Sequence, residues 1–447
     1  MKDGTMTINV RPARTAAEEA IAAALEASIA TEAGQGRIPE LRRAARDAFL
    51  SHGLPSRRVE EWKYTDLRAA IRDVPNRAPA PGTVEDLEAA PFVPSLPNAG
   101  RILFVNGVLS RAGSDFAALS EGVTALPLDA AIAAGDPLAD RINALSPSRY
   151  DGPLALNTGF LGEGVALRVD AGVKAARPVH IAHAFPGAEA VAGFTRTVVV
   201  VGAGAEVTLV ETFAGRDGVA YQSNHAVELV VGDGAVVNLV RIQEEGDAAF
   251  HFGTLMLELG REAKLNLFAL AQGAALARYN VYGRFEGTGA HAGIRGATLA
   301  RGRQHSDTTL VIDHAVAGGE SRELFKTVLA DDAHGVFQGK IVVRRAAQKT
   351  DGRMMSQSLL LSDRAEMDNK PELEIFADDV QCGHGATAGA LDRSMLFYLR
   401  SRGLPEKEAE MLLIQAFLGE AVEYVENADL RDLLIERISG WLEKRAG

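Results

Sequence analysis

The sequence predicts a mainly β protein, a β-solenoid core flanked by N-terminal and C-terminal α-helical regions. Three observations carry this. A turn-plus-strand pattern recurs at nearly constant spacing in the middle of the chain. The apolar period there is two, whereas before residue 75 and after residue 389 it is helical. Finally, the 45 glycines among 447 residues imply many tight turns.

The repeat is explicit. Gly202-Ala-Gly204-Ala205-Glu206-Val207-Thr208-Leu209 resembles Gly232-Asp-Gly234-Ala235-Val236-Val237-Asn238-Leu239 and Gly260-Arg-Glu262-Ala263-Lys264-Leu265-Asn266-Leu267. Gly287-Thr-Gly289-Ala290-His291-Ala292 follows more loosely, with spacings of 30, 28 and 27 between the leading glycines. Weaker echoes stand at Asp331-Asp332-Ala333 and Asp363-Arg364-Ala365. A fixed period of this length marks stacked rungs, each of which buries its faces only against the next. A β-sandwich has no need of a fixed period. An open end of such a stack needs capping by helices or a partner.

The flanks follow by composition. Residues 13 to 75 read as helices, the first with Ala20, Ala23, Ala24, Ala27 and Ala30 at helical spacing before a Gly34-Gln35-Gly36 break. A second helix is expected after Pro39, with Leu41, Ala44, Ala45, Ala48 and Phe49 on one face and Gly53 closing it. Trp62 and Tyr64 lie among charges and read as a packing strut rather than a binding surface. From Val74 to Gly100, proline, alanine and glycine dominate, as in a linker or long surface loop. The expected domains are therefore 1–100, helical region and linker; 101–388, solenoid with one helix near Leu126 to Ile142; and 389–447, a helical module. In that module Asp392 caps a short helix, Pro405 opens the next, and Ala409, Leu412, Leu413, Ala416 and Phe417 form its apolar face. A last helix is expected over Leu430 to Arg445. Such a small module is suited to docking on a partner.

Composition excludes several function classes. With a formal net charge of −12, the chain lacks the clustered Lys/Arg of a nucleic-acid surface. No apolar run approaches the ~20 residues of a membrane helix. The N-terminus shows no apolar stretch of a secretory signal, so a cytoplasmic location is expected. Gly335 to Ile341 is one residue short of a phosphate-binding loop and ends on Ile in place of Ser/Thr.

Candidate chemistry centres on Lys370–Gly389, KPELEIFADDVQCGHGATAG. It holds the only cysteine, Cys382, with His384 two positions on. In a continuous strand Asp378, Val380, Cys382 and His384 share one face. Thiol and imidazole together make half of a soft-metal site, and two ligands are too few for a stable one. An iron–sulfur cluster usually takes about four cysteines, so this chain alone cannot hold a conventional one. A second concentration comprises His291, His305, His314, His334 and His384, with acids at Asp307, Asp313, Asp331 and Asp332. Paired acids on a solenoid also suit carbohydrate chemistry, for which Asp331, Asp332 and Asp378 are the candidates. The 6% aromatic content argues against the aromatic-lined groove such enzymes use.

LEIFADDVQCGHGATAG, followed by Leu396-Phe397-Tyr398-Leu399-Arg400-Ser401-Arg402-Gly403, resembles the C-terminal signature of the SufB/SufD family. His305–Thr309, Gly335–Ile341 and Ala347–Asp351 look like its central motifs, and Glu61–Leu67 like the N-terminal motif of its SufD branch. The resemblance covers about residues 50 to 420. It implies a right-handed parallel β-helix and a non-catalytic scaffold subunit for iron–sulfur cluster assembly. It also implies a SufB paralogue paired through the β-helices and the ABC-type ATPase SufC bound through the C-terminal helices. A homodimer is allowed for the isolated chain, and no nucleic acid or membrane is involved. Cys382 and His384 match the CxHGAT motif, which implies ligands to a transient cluster or iron shared with SufB. A SufB-type paralogue is the alternative, but its additional cysteines are not present. Gly383 stands where serine is common, and Ser358 where asparagine often precedes the leucines.

Overall fold

The third residue of each repeat decides the turn. In the computed structural model, which describes residues 13–30, 37–79 and 82–446, Gly204, Gly234 and Gly289 have φ of 66°, 63° and 70°. Glu262 takes the same left-handed conformation at 54°, at the cost an L-residue bears there. After each turn comes a strand: Glu206–Gly215, Val236–Glu244, Lys264–Ala271 and His291–Ala300. All four lie in one sheet. The interval between repeats contains a second strand that joins another sheet, so a rung comprises one strand of each. The weaker echoes precede strands of that second sheet, His334–Val343 and Glu366–Ile375.

The first sheet has ten strands and ends on Glu320–Leu329, Asp351–Leu360 and Gln381–Gly389; the second has nine and ends on Glu366–Ile375. Pairing is antiparallel only at the opposite end, where Gly100–Val105 meets Val108–Ser110 and Val123–Pro127 meets Glu163–Val169. Elsewhere neighbours are parallel, and the register stacks like positions in columns. One column reads Val207, Val237, Leu265, Ala292, Ser321, Gly352, Cys382. Its neighbour reads Leu209, Leu239, Leu267, Ile294, Glu323, Met354, His384. The apolar members of both columns, with Val199, Leu229, Leu257, Val281 and Ile312 of the second sheet, form the core between the sheets. Each fully buried Leu, Ile or Val contributes roughly 1.5–3 kcal/mol.

The interior is not wholly apolar. His183 lies stacked between Phe104 (4.9 Å) and Phe213 (4.5 Å), its Nε2 without a partner. Beside it the ring of His225 bonds Glu211 at 2.9 Å and Thr195 at 2.7 Å, and His251 Nδ1 lies 2.8 Å from Glu245. Arg241 spans the rings of Phe213 and Tyr279 at 4.6 and 4.3 Å. Burial drives His183 well into the neutral form and lowers His251 too, there against the raising effect of Glu245. Burial also works to raise Glu211 and Glu245, but hydrogen bonds from the His225 and His251 rings and the charge of Arg241 outweigh it and hold both carboxyls below the usual range.

Outside the first sheet, Val240, Phe268, Leu270, Leu299 and Val328 meet the helices Glu406–Val422 and Ala428–Ala446 through Ile414, Leu418, Leu434, Ile438 and Trp441. Lys326, nearly sealed from solvent, is paired with Glu420 and sits 4.5 Å from the Phe417 ring. The C-terminal helices are thus packed on the solenoid itself. This corrects the expected face. Ala409 and Phe417 are buried or half-buried, but Leu412 is 46% exposed and Ala416 faces solvent. Apolar residues stand on more than one side of this helix, so spacing alone does not identify its buried side. A shorter helix, Arg393–Ser401, is capped by Asp392 as expected, its carboxylate accepting from the Ser394 and Met395 N–H groups.

Residues up to Val74 and Arg149–Phe160 form a separate compact unit. Its helices Ala16–Ala30 and Arg37–His52 match expectation, and Gly53 closes the second with φ of 71°. The first buries Ala17, Ile21, Ala22 and Leu25 and exposes the alanine stripe named from sequence, because the larger side chains gain more from burial. The Gly34-Gln35-Gly36 break lies outside the described residues, as do residues 1–12. Trp62 is fully buried and Tyr64 half-buried. The expected linker contains a helix, Thr83–Ala89.

Two consequences can be measured. The neutral interior histidines and the depressed Glu211 and Glu245 all add stability at neutral pH, because the unfolded chain binds more protons than the folded one in acid. That stability is lost first as pH falls below about 6.5 and further below about 4.5. His183→Phe removes one such group and an unpartnered buried nitrogen. It should raise the urea midpoint by about 1 kcal/mol equivalent and flatten the acid limb; an unchanged acid limb would contradict this. On the outer face, Leu434→Ala should cost about 2–5 kcal/mol while Leu412→Ala costs under about 0.5 kcal/mol. Equal losses in denaturant titrations would place the helix differently.

Candidate functional site

The last strand of the first sheet, Gln381–Gly389, is positioned by the turn before it. Thr350 donates its hydroxyl to the Ala347 carbonyl (2.8 Å), and Lys349 takes a left-handed φ of 64°. The next turn stacks on this one. The Asp379 N–H donates to Gln348 Oε1 at 2.9 Å, and the Gln381 N–H to the Thr350 carbonyl at 2.8 Å. Residues 347–351, read from sequence as a motif, thus set the entry of the strand carrying Cys382.

The chain does not run extended through this region. Phe376–Val380 forms the corner between the sheets, so Asp378 does not share a strand face with Cys382. Cys382 and His384 do share one, as alternation requires. Cys382 is half-buried against the core and stacks on Gly352; His384 is exposed and stacks on Met354. Burial pushes the Cys382 thiol up; a hydrogen bond from the Gly352 backbone opposes this, and nearby Asp351 and Glu323 add to it. At Gly383 an added Cβ would meet nothing within 4 Å, so serine fits there. At Gly385 it would meet Met355 Cε at 2.8 Å.

An open pocket of about 750 Å³ adjoins the pair, lined among others by Arg322, Glu323, Arg353, Met354, Cys382 and His384. Arg322 is bonded to Asp351 at 2.6 Å, and Arg353 reaches the same carboxylate at 3.2 Å. Both arginines are thus paired with a carboxylate, and the thiol beside them stays raised. Glu323 is the residue that sequence reading missed. It is 2% exposed, and neither carboxyl oxygen makes a hydrogen bond of good geometry. The neighbouring Ser321 hydroxyl is engaged by His314 Nε2 at 3.1 Å. Burial pushes Glu323 up to about 8, against smaller opposing effects of Ser321, its own backbone, Arg322 and Arg295. The signal was available: Ser321, Glu323 and Phe325 alternate in a strand, so a carboxyl falls at an apolar position.

The other candidates have structural partners. Asp331, at φ of 57°, accepts from the Gly302 N–H at 2.9 Å, and Asp332 pairs with Arg364. Asp307 forms a buried pair with Arg278, and Asp313 bonds Arg344 at 2.9 Å. His314 is buried on the Phe285 ring, and His291 lies 3.8 Å from Glu320. Asp331 and Asp332 hold turns rather than flank a groove. Among the described residues no three His, Cys, Asp or Glu side chains are grouped to hold a metal ion. Among them, too, no helix is long and apolar enough to cross a membrane.

Residues 184–417 match the SUF system FeS cluster assembly SufBD core domain, and residues 26–181 the SufBD protein N-terminal region. The chain belongs to the SufBD family. It is 29% identical to an iron–sulfur cluster assembly SufBD family protein of Synechocystis, over 94% of this chain and 93% of that protein. It is also 29% identical to the iron–sulfur cluster assembly protein SufD of Escherichia coli, over 87% and 90% of the two chains. A further relative is SufD of Bacillus subtilis, 28% identical over 60% and 62%. The family is one of assembly components, in keeping with the expectation of a non-catalytic subunit.

Because Glu323 holds its proton in the folded state and loses it near pH 4.5 when unfolded, its contribution has the opposite sign to the interior histidines. Stability is present in acid and lost as pH rises from about 4.5 through 8. Glu323→Gln should therefore be more stable than the wild type, by a gap growing to a few kcal/mol between pH 5 and pH 8. A pH-independent gap in urea titrations would show that the carboxyl ionises normally.

Proposed function

We propose that this chain acts as a SufD-type scaffold subunit, giving Cys382 and His384 as its share of ligands to a nascent iron–sulfur cluster held with a SufB paralogue. The observation that carries this is the placement of only two soft-metal donors, side by side on a strand whose outer edge is unpaired. An unpaired parallel edge is a template for another strand, and the ligands missing from this chain belong on the chain that covers it. Iron and sulfide are cargo, so no cluster resides permanently on this chain.

The ATPase partner, SufC, would dock on the helical module. The helices Glu406–Val422 and Ala428–Ala446 spend one face on the solenoid. What remains for a partner is the capped helix Arg393–Ser401, with Met395, Phe397 and Tyr398 each at least half exposed, and the exposed Leu412 of the helix that follows. That helix directly follows the Cys382 strand, so a displacement of the helix by ATP-driven movement of SufC would act on the site through a short connection.

Co-expression with SufB and SufC and anaerobic isolation of the complex tests the ligand role. His384→Ala should lower cluster content severalfold at equal complex recovery, and Cys382→Ala by less, its thiol being half-buried and held protonated. Unchanged cluster content in His384→Ala would leave a partner that positions SufB and SufC without touching the cluster.

A further inference from the structure

Two of the five histidines concentrated after residue 290 meet on the other sheet from Cys382. His305 and His334 open the strands His305–His314 and His334–Val343 and are partners across the parallel pair. Their Nδ1 atoms face each other at 3.1 Å, with the rings inclined at 76°. On its far side the His334 ring places Nε2 2.8 Å from Asp368 Oδ2. A carboxylate can only accept, so Nε2 carries the proton and Nδ1 presents a lone pair towards His305. A carboxylate on the outer nitrogen is the arrangement that orients metal-bound histidines.

The distance fits one ion. Two imidazole nitrogens 3.1 Å apart, each about 2.1 Å from a common centre, subtend roughly 95° there, the angle between adjacent ligands of an octahedral metal. Next in the ladder, Glu366 is the register partner of His334 and is exposed. Two imidazoles with carboxylate or water suit zinc, nickel, cobalt or ferrous iron, whereas calcium and magnesium prefer oxygen alone. His334 is 24% exposed and Asp368 40%, so an ion in solution has access.

We propose that His305 and His334 form a binding site for a first-row divalent transition cation, oriented by Asp368 and completed by water or Glu366. Without the ion the two Nδ1 atoms share one proton. On binding, His305 changes tautomer, giving up its Nδ1 proton to solvent and taking one from solvent at Nε2, so that both Nδ1 lone pairs are free for the cation and no net proton is released.

The test is calorimetric titration of Zn²⁺ and of Co²⁺ into the full chain carrying Cys382→Ser, which removes the competing thiol. One equivalent should bind. His305→Gln and His334→Gln should each weaken it at least tenfold, and Asp368→Asn roughly tenfold to hundredfold. Adding His384→Ala should leave it unchanged, which separates this site from the cluster site. Circular dichroism and urea midpoints check that the variants fold. No saturable binding, or binding that survives both histidine substitutions, would overturn the proposal and leave a hydrogen-bonded pair.

Discussion

The in-register stacking of parallel strands is the constraint on which the rest of the molecule depends. A parallel pair holds each residue beside its counterpart about 4.8 Å away, so one residue's side chain fixes what the next rung can tolerate. Columns such as Leu209–Leu239–Leu267–Ile294 are the result, and a slip by one residue would turn every member to the other face. The same rule places Cys382 and His384. Each continues a column of the interior to the strand that ends the first sheet among the described residues. The pair is accessible because the sheet ends there: the core environment that seals Met354 gives way, one strand later, to an exposed imidazole.

Polar residues enter the interior where a column can be satisfied across it. Glu211, His225, His251, Glu245 and Arg241 do so by pairing between rungs and between sheets. A deleted partner would leave a buried charge, which is why such networks are costly to break. Glu323 is different. It lies two positions before His384 in the same column and has no equivalent partner, so its carboxyl stays protonated. Towards the last strand the columns therefore change from apolar side chains to a buried carboxyl, a half-buried thiol and an exposed imidazole.

Much of this was legible in the sequence. Repeating turns announced the rungs, and the period change at residue 389 announced the helices. Alternation placed Cys382 and His384 on one face. Asp378 was misjudged because a solenoid corner interrupts the extended chain, and no local residue pattern distinguishes Phe376–Val380 from more strand. Helix faces were harder. The alanine stripe of Ala16–Ala30 and the Leu412 side of Glu406–Val422 satisfy helical spacing, but both helices offer more than one apolar stripe. Which stripe is buried depends on the surface opposite.

The sequence by itself determined the period, the left-handed turn positions and the chemistry available at the end of the stack, because these follow from backbone sterics and side-chain identity over a few residues. Only the tertiary structure decided which groups meet. Glu323 and Cys382 lie 59 positions apart, from 323 to 382, and His305 and His334 meet only because one full rung separates them. Stacking converts separation along the chain into contact across it, and the length of each corner, not the composition of any one strand, sets that conversion.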